Sequence, residues 1–524
     1  MELHDEQLIQ LLGLLVGVAA LLVVAPLLRV PYPILLVIGG LALSFVPGLP
    51  EFRLPPDLVL IAFLPPLLYA AAFFTSLRDL REAVVPVSFL SVVVVAATTV
   101  GVAAVAHWTI DGMTWAAAFV LGAVVSPTDP IAATAIARRL RVPRRSVTVI
   151  EGESLVNDAT ALVIYRAAVV ASVAGTFSLA DTAGRMLLAI VGGVGMGLAV
   201  GWVVRQVRRR IDHSPTEITI ALLTGYLAYL PAEAIGVSAV LAAVTVGIYM
   251  GWHTPELTTA ATRLQGDAFW SILVFVLNAA LFTLVGLQLP QVLDGLGGWT
   301  TRELAGAAAA ICVAVVAIRF ASAVPFALLQ RALTGERVGW RRPFLVSWAG
   351  MRGAVSLAAA LAIPLETDAG APFPARELII FLAFCVILVT LVVQGLSLPL
   401  VIRALGLEDD GLDALEDAEA RVRAAEAALH RLEELTGEDW VREDTAERMR
   451  GTYRFRVDRF GERRDGRTTD IEERSQAFQR LRRELLDAER DAVVGLRRSG
   501  VISDDVMNRV LRDIALEDVR LDQR

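Results

Sequence analysis

Along roughly the first 400 residues, long apolar runs alternate with short loops that hold most of the charge. Many runs reach the roughly 20 residues that a helix needs to cross about 30 Å of hydrocarbon. The pattern predicts about thirteen spans, near 7–28, 32–46, 57–75, 84–107, 114–137, 148–174, 182–206, 215–231, 236–251, 268–288, 303–330, 343–364 and 376–402. Beyond about residue 403 the pattern changes. Asp, Glu and Arg become dense, and apolar residues recur at three- and four-residue spacing, as in LEDAEARVRAAEAALHRLEEL. Such spacing marks amphipathic helices. They are expected near 412–436, 475–498 and 503–520, with Ser503 as an N-cap and Asp504 and Asp505 in the first turn of the last. The expected domains are a membrane domain, 1–403, and a helical tail, 404–524, whose residues specify no ligand.

Arginine position tests the span count. Alternate loops, starting after the first span, hold Arg29, Arg78, Arg81, Arg138, Arg139, Arg141, Arg144, Arg145, Arg205, Arg208, Arg209, Arg210, Arg263, Arg331, Arg337, Arg341 and Arg342. The other loops hold only Arg53, Arg185, Arg302 and Arg376. Basic residues concentrate on the cytoplasmic side of membrane proteins, and a missed span would scramble the asymmetry downstream. The expectation is a multi-pass protein of the inner (plasma) membrane, N-terminus outside and tail cytoplasmic. The MELHDEQ start lacks the basic n-region of a signal peptide, so the first apolar run is expected to be kept. Thirteen spans divide as six, one linker and six. An odd linker sets the halves in opposite orientation, an inverted repeat in which span five matches span twelve and span six matches span thirteen.

Composition narrows the chemistry. The sequence is 55% hydrophobic and 20% charged, and all 48 basic residues are Arg. Without lysine there is neither a Walker-A phosphate loop nor Schiff-base catalysis. Cys312 and Cys385 lie in apolar runs and suggest no disulfide framework, and no cofactor is expected. The net charge of −7 hides the segregation above and points to no nucleic-acid partner. The partners expected are the bilayer and small cations.

Ionisable residues inside membrane spans are costly, and therefore default candidates for function. Span five contains Ser126-Pro127-Thr128-Asp129-Pro130. Two prolines three apart remove two backbone donors and disrupt the turn before each. The helix should unwind there and free carbonyls, among them that of Thr128, with Asp129 facing the positive end of the following half-helix. The plain alternative is a proline kink with Asp129 as a local cap. Span six opens with Glu151-Gly152-Glu153-Ser154-Leu155-Val156-Asn157-Asp158. Ser154 and Asp158, four apart, share a helix face, with Glu153 and Asn157 on the adjacent stripe. Asp158 lies about two turns, or about 11 Å, into an apolar helix. Desolvation makes its charged form costly, and its oxygens suit a hard cation such as Na+. A carboxylate that holds either a proton or a cation is the smallest device for exchange. Glu153 needs a cationic partner: Arg319 in span eleven is the first candidate and Arg352 in Gly350-Met351-Arg352-Gly353 the second. The flanking glycines suggest that span twelve is also broken, in which case Arg352 could offset the negative end of a half-helix. Arg166 is expected to reach the outer interface or pair within the bundle.

SPTDP, EGESLVNDATALVIY and GMRGAVSLAAALA, in this order on spans five, six and twelve, resemble the monovalent cation/proton antiporter-1 family, the Na+/H+ exchangers. The resemblance covers about residues 7–402. It implies an all-α fold of thirteen helices in an inverted repeat, with broken helices, a dimer-forming domain and a mobile core, and hence a homodimer. It implies that Asp158 is the exchanging carboxylate, that Ser154, the Thr128 backbone and Asp129 lie beside it as cation ligands, and that Glu153 and Arg319 form a structural ion pair. Asn157 stands where electrogenic relatives carry a second Asp, which implies electroneutral exchange of one cation for one proton. One departure concerns span three. Many members have an acidic residue shortly after a Pro-Pro pair, whereas LPPLLYAAAFF places Ala70 or a neighbour there. A ligand is therefore missing, and Li+, K+ and Rb+ join Na+ as candidate substrates.

Other classes find less support. A transporter of an organic solute would need a further charged or aromatic cluster. A channel would need a filter longer than Thr224-Gly225-Tyr226. An enzyme would need a nucleophile–base pair or a metal motif, and His4, His107, His213, His253 and His430 form no HExxH.

Overall fold

The computed structural model describes residues 16–17, 19–23, 27, 31–45, 59–174, 179–334, 339–407, 409, 411–466 and 470–522. The chain divides into two compact units, Met1–Asp409 and Asp410–Arg524. The described residues are helical apart from turns and one isolated bridge between Glu366 and Pro372.

In the first unit, α1 (Tyr32–Ser44) is followed by a π-helical turn, Val59–Phe63, that leads into α2 (Leu64–Phe73). A short surface helix, α3 (Leu77–Glu82), starts on a Ser76 side-chain cap and precedes the long α4 (Val84–Thr109). Next come α5 (Trp115–Val125), α6 (Ile131–Arg139), α7 (Arg144–Ala174) and α8 (Leu179–Arg208). They are followed by α9 (Ser214–Ala234), α10 (Ala239–Leu257), α11 (Ala260–Leu287) and the short α12 (Leu289–Asp294). The unit closes with α13 (Thr301–Ala321), α14 (Ala323–Thr334), α15 (Arg341–Trp348), α16 (Ala354–Leu361) and α17 (Arg376–Leu405).

Every expected span from 32–46 onward has helix under it, and the first, 7–28, falls largely outside the described residues, as do Arg29, Arg53 and Arg337. Among the described residues, six helical stretches are long and apolar enough to cross a membrane: Val84–Thr109, Arg144–Val173, Gly184–Arg208, Ala260–Leu287, Thr301–Ala332 and Arg376–Leu405. α8 turns Leu187, Leu188, Val191, Leu198 and Trp202 outward, a contiguous apolar face suited to lipid. Side-chain caps fix several helix starts, including Thr114, Ser238 and Thr259; at Thr300 and Glu303 the bonds are reciprocal, a capping box. Where α8 ends and α9 begins, Arg208 and Glu217 form an ion pair at 3.3 Å with both side chains buried.

Spans five and twelve are each split. Residues 126–130 separate α5 from α6, and residues 349–353 separate α15 from α16. The two interruptions meet, for the Asp129 N–H donates to the Met351 carbonyl at 2.8 Å. Span eleven, expected as one helix, has a turn at Ser322 between α13 and α14.

In the second unit, α18 (Leu412–Leu435) and α19 (Glu443–Arg464) form an antiparallel pair, pinned where Arg464 meets Glu419 at 3.3 Å. The second pair, α20 (Asp470–Arg498) and α21 (Asp504–Asp522), buries Leu486 and Ile514 and is bridged by Arg482 and Glu517 at 2.6 Å. The Val506 N–H donates to the Ser503 hydroxyl at 3.4 Å at the start of α21. The sequence reading missed α19, whose apolar residues are sparse among Arg and Glu, as well as the short α3 and α12.

Close helix approach depends on glycine where α1 crosses α11. A Cβ on Gly40 would strike the Thr283 carbonyl oxygen, and one on Gly286 the Val37 carbonyl oxygen. At Gly306 in α13 a Cβ meets nothing. Overpacking costs roughly 1–3 kcal/mol. Gly40→Ala is therefore expected to lower the melting temperature of the purified protein by several degrees, with Gly306→Ala neutral or slightly stabilising in the same thermal scan.

Candidate functional site

The site is built where the two broken helices cross beside α7. Along α7, Ser154 and Asp158 fall on one face and Glu153 and Asn157 on the next, and the structure sends the two stripes to different neighbours. Ser154 and Asp158 line a cavity of about 100 Å³, together with Thr128 and Asp129 from the first break and Gly353 and Ser356 from the second. Leu64, Leu67, Leu68 and Ala71 of α2, with Asn278 and Leu281 of α11, form the opposite wall.

The second stripe holds the break in place. Glu153 and Arg319 make a two-pronged ion pair, Nη1 to Oε1 at 2.6 Å and Nη2 to Oε2 at 2.7 Å. The Thr128 hydroxyl donates to Glu153 Oε1 at 3.1 Å. The Asn157 amide donates to the Thr128 hydroxyl at 2.7 Å and, more weakly, to the Thr128 carbonyl at 3.3 Å. Arg319 has further tasks: Nε donates to the Ser347 carbonyl at 3.2 Å and Nη2 to the Val346 carbonyl at 3.1 Å, at the end of α15. Of the two candidates for the Glu153 partner, the structure thus selects Arg319. Arg352, fully buried, turns to backbone oxygens instead. Its Nε donates to the Val125 carbonyl at 3.0 Å, the last residue of α5, and its Nη1 to the Gly350 carbonyl. Its own N–H donates to the Thr390 hydroxyl at 3.0 Å.

Asp129 does what both sequence readings allowed. Its Oδ1 accepts the Ile131 N–H at 2.9 Å and so caps α6, and its carboxylate also lines the cavity. The Asp158 carboxylate is buried and accepts no hydrogen bond among the described residues. A buried carboxylate without a donor and a half-buried one, Asp129, on one small cavity make a site that a proton or a small cation would stabilise. Asn157 lies outside the cavity lining and bonds to Thr128, chiefly to its hydroxyl. Arg166, beyond Asp158 on α7, pairs with Glu233 of α9 at 2.6 Å on an exposed edge.

Both glycines around Arg352 are needed for contact. A Cβ on Gly353 would overlap the Asp129 carboxylate, and one on Gly350 would overlap the Arg319 guanidinium. Asn278 and Ser356 were missed in the sequence. Both line the cavity, and Asn278 Oδ1 and Ser356 Oγ are buried without a hydrogen-bond partner among the described residues. The signal for Asn278 was present: it is a lone amide in the apolar run FVLNAALF. Of the span-three positions that the sequence left open, Ala71 lines the cavity, whereas its buried neighbour Ala70 does not.

A family model described as "Sodium/hydrogen exchanger, transmembrane" matches residues 12–404. An uncharacterized Na+/H+ exchanger of Mycobacterium tuberculosis is 38% identical over 533 aligned residues, covering 99% of this chain and 97% of that protein. A sodium, potassium, lithium and rubidium/H+ antiporter of Bacillus subtilis is 34% identical, covering 71% of this chain and 58% of that protein. The fold is similar to that of the sodium proton antiporter MjNhaP1 from Methanocaldococcus jannaschii, with a TM-score of 0.59 at 17% identity over 76% of this chain and 99% of that one.

The two kinds of carboxylate separate in a stability measurement. Removing one member of a buried ion pair costs about 3–5 kcal/mol, because the other charge is stranded. Glu153→Gln is expected to lower the melting temperature strongly, whereas Asp158→Asn, which removes a charge that has no donor, leaves it unchanged or raised. Equal losses in the two variants would refute this division.

Proposed function

The chain belongs to the transmembrane sodium/hydrogen exchanger family, and from that premise we propose that it exchanges Na+ for H+ one for one, carrying both on the Asp158 carboxylate. The observation that carries this reading is the cavity where two interrupted helices cross, lined by Asp129 and Asp158, with no donor to Asp158 among the described residues. Ser154 and Thr128 supply further oxygens on the same wall. A cation and a proton compete for Asp158, so each displaces the other. Asp129 shares the field of the site and is anchored by the Ile131 amide. Asn157 adds no second exchanging charge, which favours electroneutral turnover.

Alternating access follows from the cost of charge in apolar surroundings. The half-helices α5, α6, α15 and α16 move with α7 as a core against a fixed, dimer-forming domain that includes α2 and α11. They move when Asp158 is neutralised by a proton or a cation. The helices under spans two to thirteen suit a 6+1+6 inverted repeat, in which the two breaks occupy equivalent places in opposite halves. The arginine asymmetry favours an external N-terminus and a cytoplasmic tail.

With Ala71 where an acidic ligand would stand, the cation is held by fewer charges. Selection among Na+, Li+, K+ and Rb+ is then weak, in keeping with the four cations in the name of the Bacillus subtilis relative.

The test is dissipation of a pH gradient in proteoliposomes on adding each alkali cation. Na+-driven proton movement is expected in the wild type, lost in Asp158→Asn and insensitive to an imposed membrane potential. Proton movement that persists in Asp158→Asn would overturn the assignment. Because H+ and Na+ share one carboxylate, the half-saturating Na+ concentration should rise as pH falls, with the maximal rate at saturating Na+ less affected. Ala71→Glu should narrow the cation range, read as a several-fold larger ratio of Na+ to K+ activity in the same liposomes.

A further inference from the structure

A second cavity, of about 490 Å³, lies apart from the carboxylate site, among α4, α7, α14 and α15. Its walls are apolar: Leu90 and Val149 face Phe326 and Leu407. Arg145, Arg341 and Arg342 also line it. Some arginines of the loops with the arginine excess are neutralised, as Arg138 is by Glu151 at 2.7 Å, Arg144 by Asp79 at 2.5 Å and Arg208 by Glu217 at 3.3 Å, whereas Arg209 and Arg210, outside this cavity, form no ion pair among the described residues. Among the described residues Arg145, Arg341 and Arg342 have no carboxylate partner. Ser146, only 3% exposed, also lines the cavity, and its hydroxyl has no hydrogen-bond partner among the described residues.

We propose that this cavity binds the headgroup of an anionic phospholipid of the cytoplasmic leaflet. Guanidinium groups bind phosphate through charge-assisted hydrogen bonds. The Ser146 hydroxyl gains a phosphate or glycerol oxygen as partner, and the apolar walls receive the start of the acyl chains. Arg145 and Arg341 stand at the first turns of α7 and α15, on the side that the arginine count makes cytoplasmic, which is where headgroups lie. A free anion would have no use for the apolar walls, so a lipid is the better fit.

Occupancy would act on the ion pair of the carboxylate site. Ser322 and Ser347 belong to the cavity wall. The Ser322 hydroxyl donates to the Arg319 carbonyl at 2.6 Å, and Arg319 Nε donates to the Ser347 carbonyl. A bound headgroup therefore braces the segments that hold Arg319 against Glu153.

The experiment uses the full chain, delipidated in detergent and melted with increasing phosphatidylglycerol, phosphatidylcholine or inorganic phosphate. Phosphatidylglycerol is expected to raise the melting temperature saturably, and the other two to have little effect. Arg341→Gln with Arg342→Gln should raise the half-saturating lipid fraction roughly 30-fold. Ser146→Leu, which intrudes on the proposed phosphate position, removes the hydroxyl and keeps every charge, should weaken the response several-fold. Arg209→Gln with Arg210→Gln, the same loss of charge from a loop outside the cavity, should leave it intact. Equal stabilisation by inorganic phosphate would make this a free-anion site. An equal loss in the Arg209 and Arg210 control would reduce the effect to diffuse surface charge, and an unchanged response in both cavity variants would place the lipid elsewhere. Each of these results overturns the proposal.

Discussion

Interrupting a helix inside a bilayer exposes carbonyls and amides that water does not reach, and each must find a partner within the protein. Here the carbonyl ends of three half-helices are each met by an arginine. Arg352 covers the Val125 carbonyl at the end of α5, and Arg319 covers Val346 and Ser347 at the end of α15. Arg376 covers Leu361 and Ile363 at the end of α16, at 3.2 and 3.0 Å. A guanidinium satisfies several oxygens at once and offsets the negative end of the helix dipole. On the amide side, the Asp129 carboxylate takes the Ile131 N–H and the Asp129 N–H reaches the Met351 carbonyl, so each break completes the other. The crossing is possible because Gly350 and Gly353 have no side chain to obstruct Arg319 and Asp129.

This arrangement sorts the carboxylates. Arg319 can serve the end of α15 only if its charge is balanced, and Glu153 balances it with both oxygens. The Glu153 carboxylate is thereby committed, and the Thr128 hydroxyl adds a third bond to it. Asp129 is half committed, as a cap. Asp158, one turn beyond Ser154, is left with no donor among the described residues. Glu153 and Asp158 differ little in sequence context or in burial, both lying buried on α7. What separates them is the set of hydrogen-bond donors around each, and so the availability of each for exchange.

Much of this was legible in the chain. Apolar run length gave the helices, since twenty residues without charge have few other uses. Pro127, Pro130, Gly350 and Gly353 located both breaks, because proline removes donors and glycine tolerates close backbone approach. The i, i+4 rule put Ser154 and Asp158 together. Contacts between distant segments were less legible. Local pattern ranked Arg319 and Arg352 as rivals for Glu153, whereas the fold gives them different carbonyls and only one the carboxylate. Asn278 and Ser356 reach the cavity through the packing of α11 and α16, which periodicity does not encode. In the tail, α19 escaped notice because Phe460 and Ala446 are its few buried apolar residues, in a helix otherwise rich in Arg and Glu.

The composition of the cavity walls bears on how the proposed exchange cycle could run. Nearly every polar group on the cavity belongs to one side, the two breaks together with α7, and these are joined to one another by the ion pair, the Thr128 bonds and the Asp129–Met351 bond. The facing wall from α2 and α11 offers leucines and Ala71, with Asn278 as its single amide. A polar group shared across a sliding surface has to be broken and remade at each stroke, whereas apolar contacts shift at little cost. An acidic ligand at Ala71 would place a charge on the stationary side and tie the cation to both walls. Its absence leaves the charged set able to travel as one body once Asp158 is neutral, at the expense of a ligand that would have discriminated among cations. In the proposed cycle, loose selectivity and an apolar sliding surface are thus two consequences of the same small side chain.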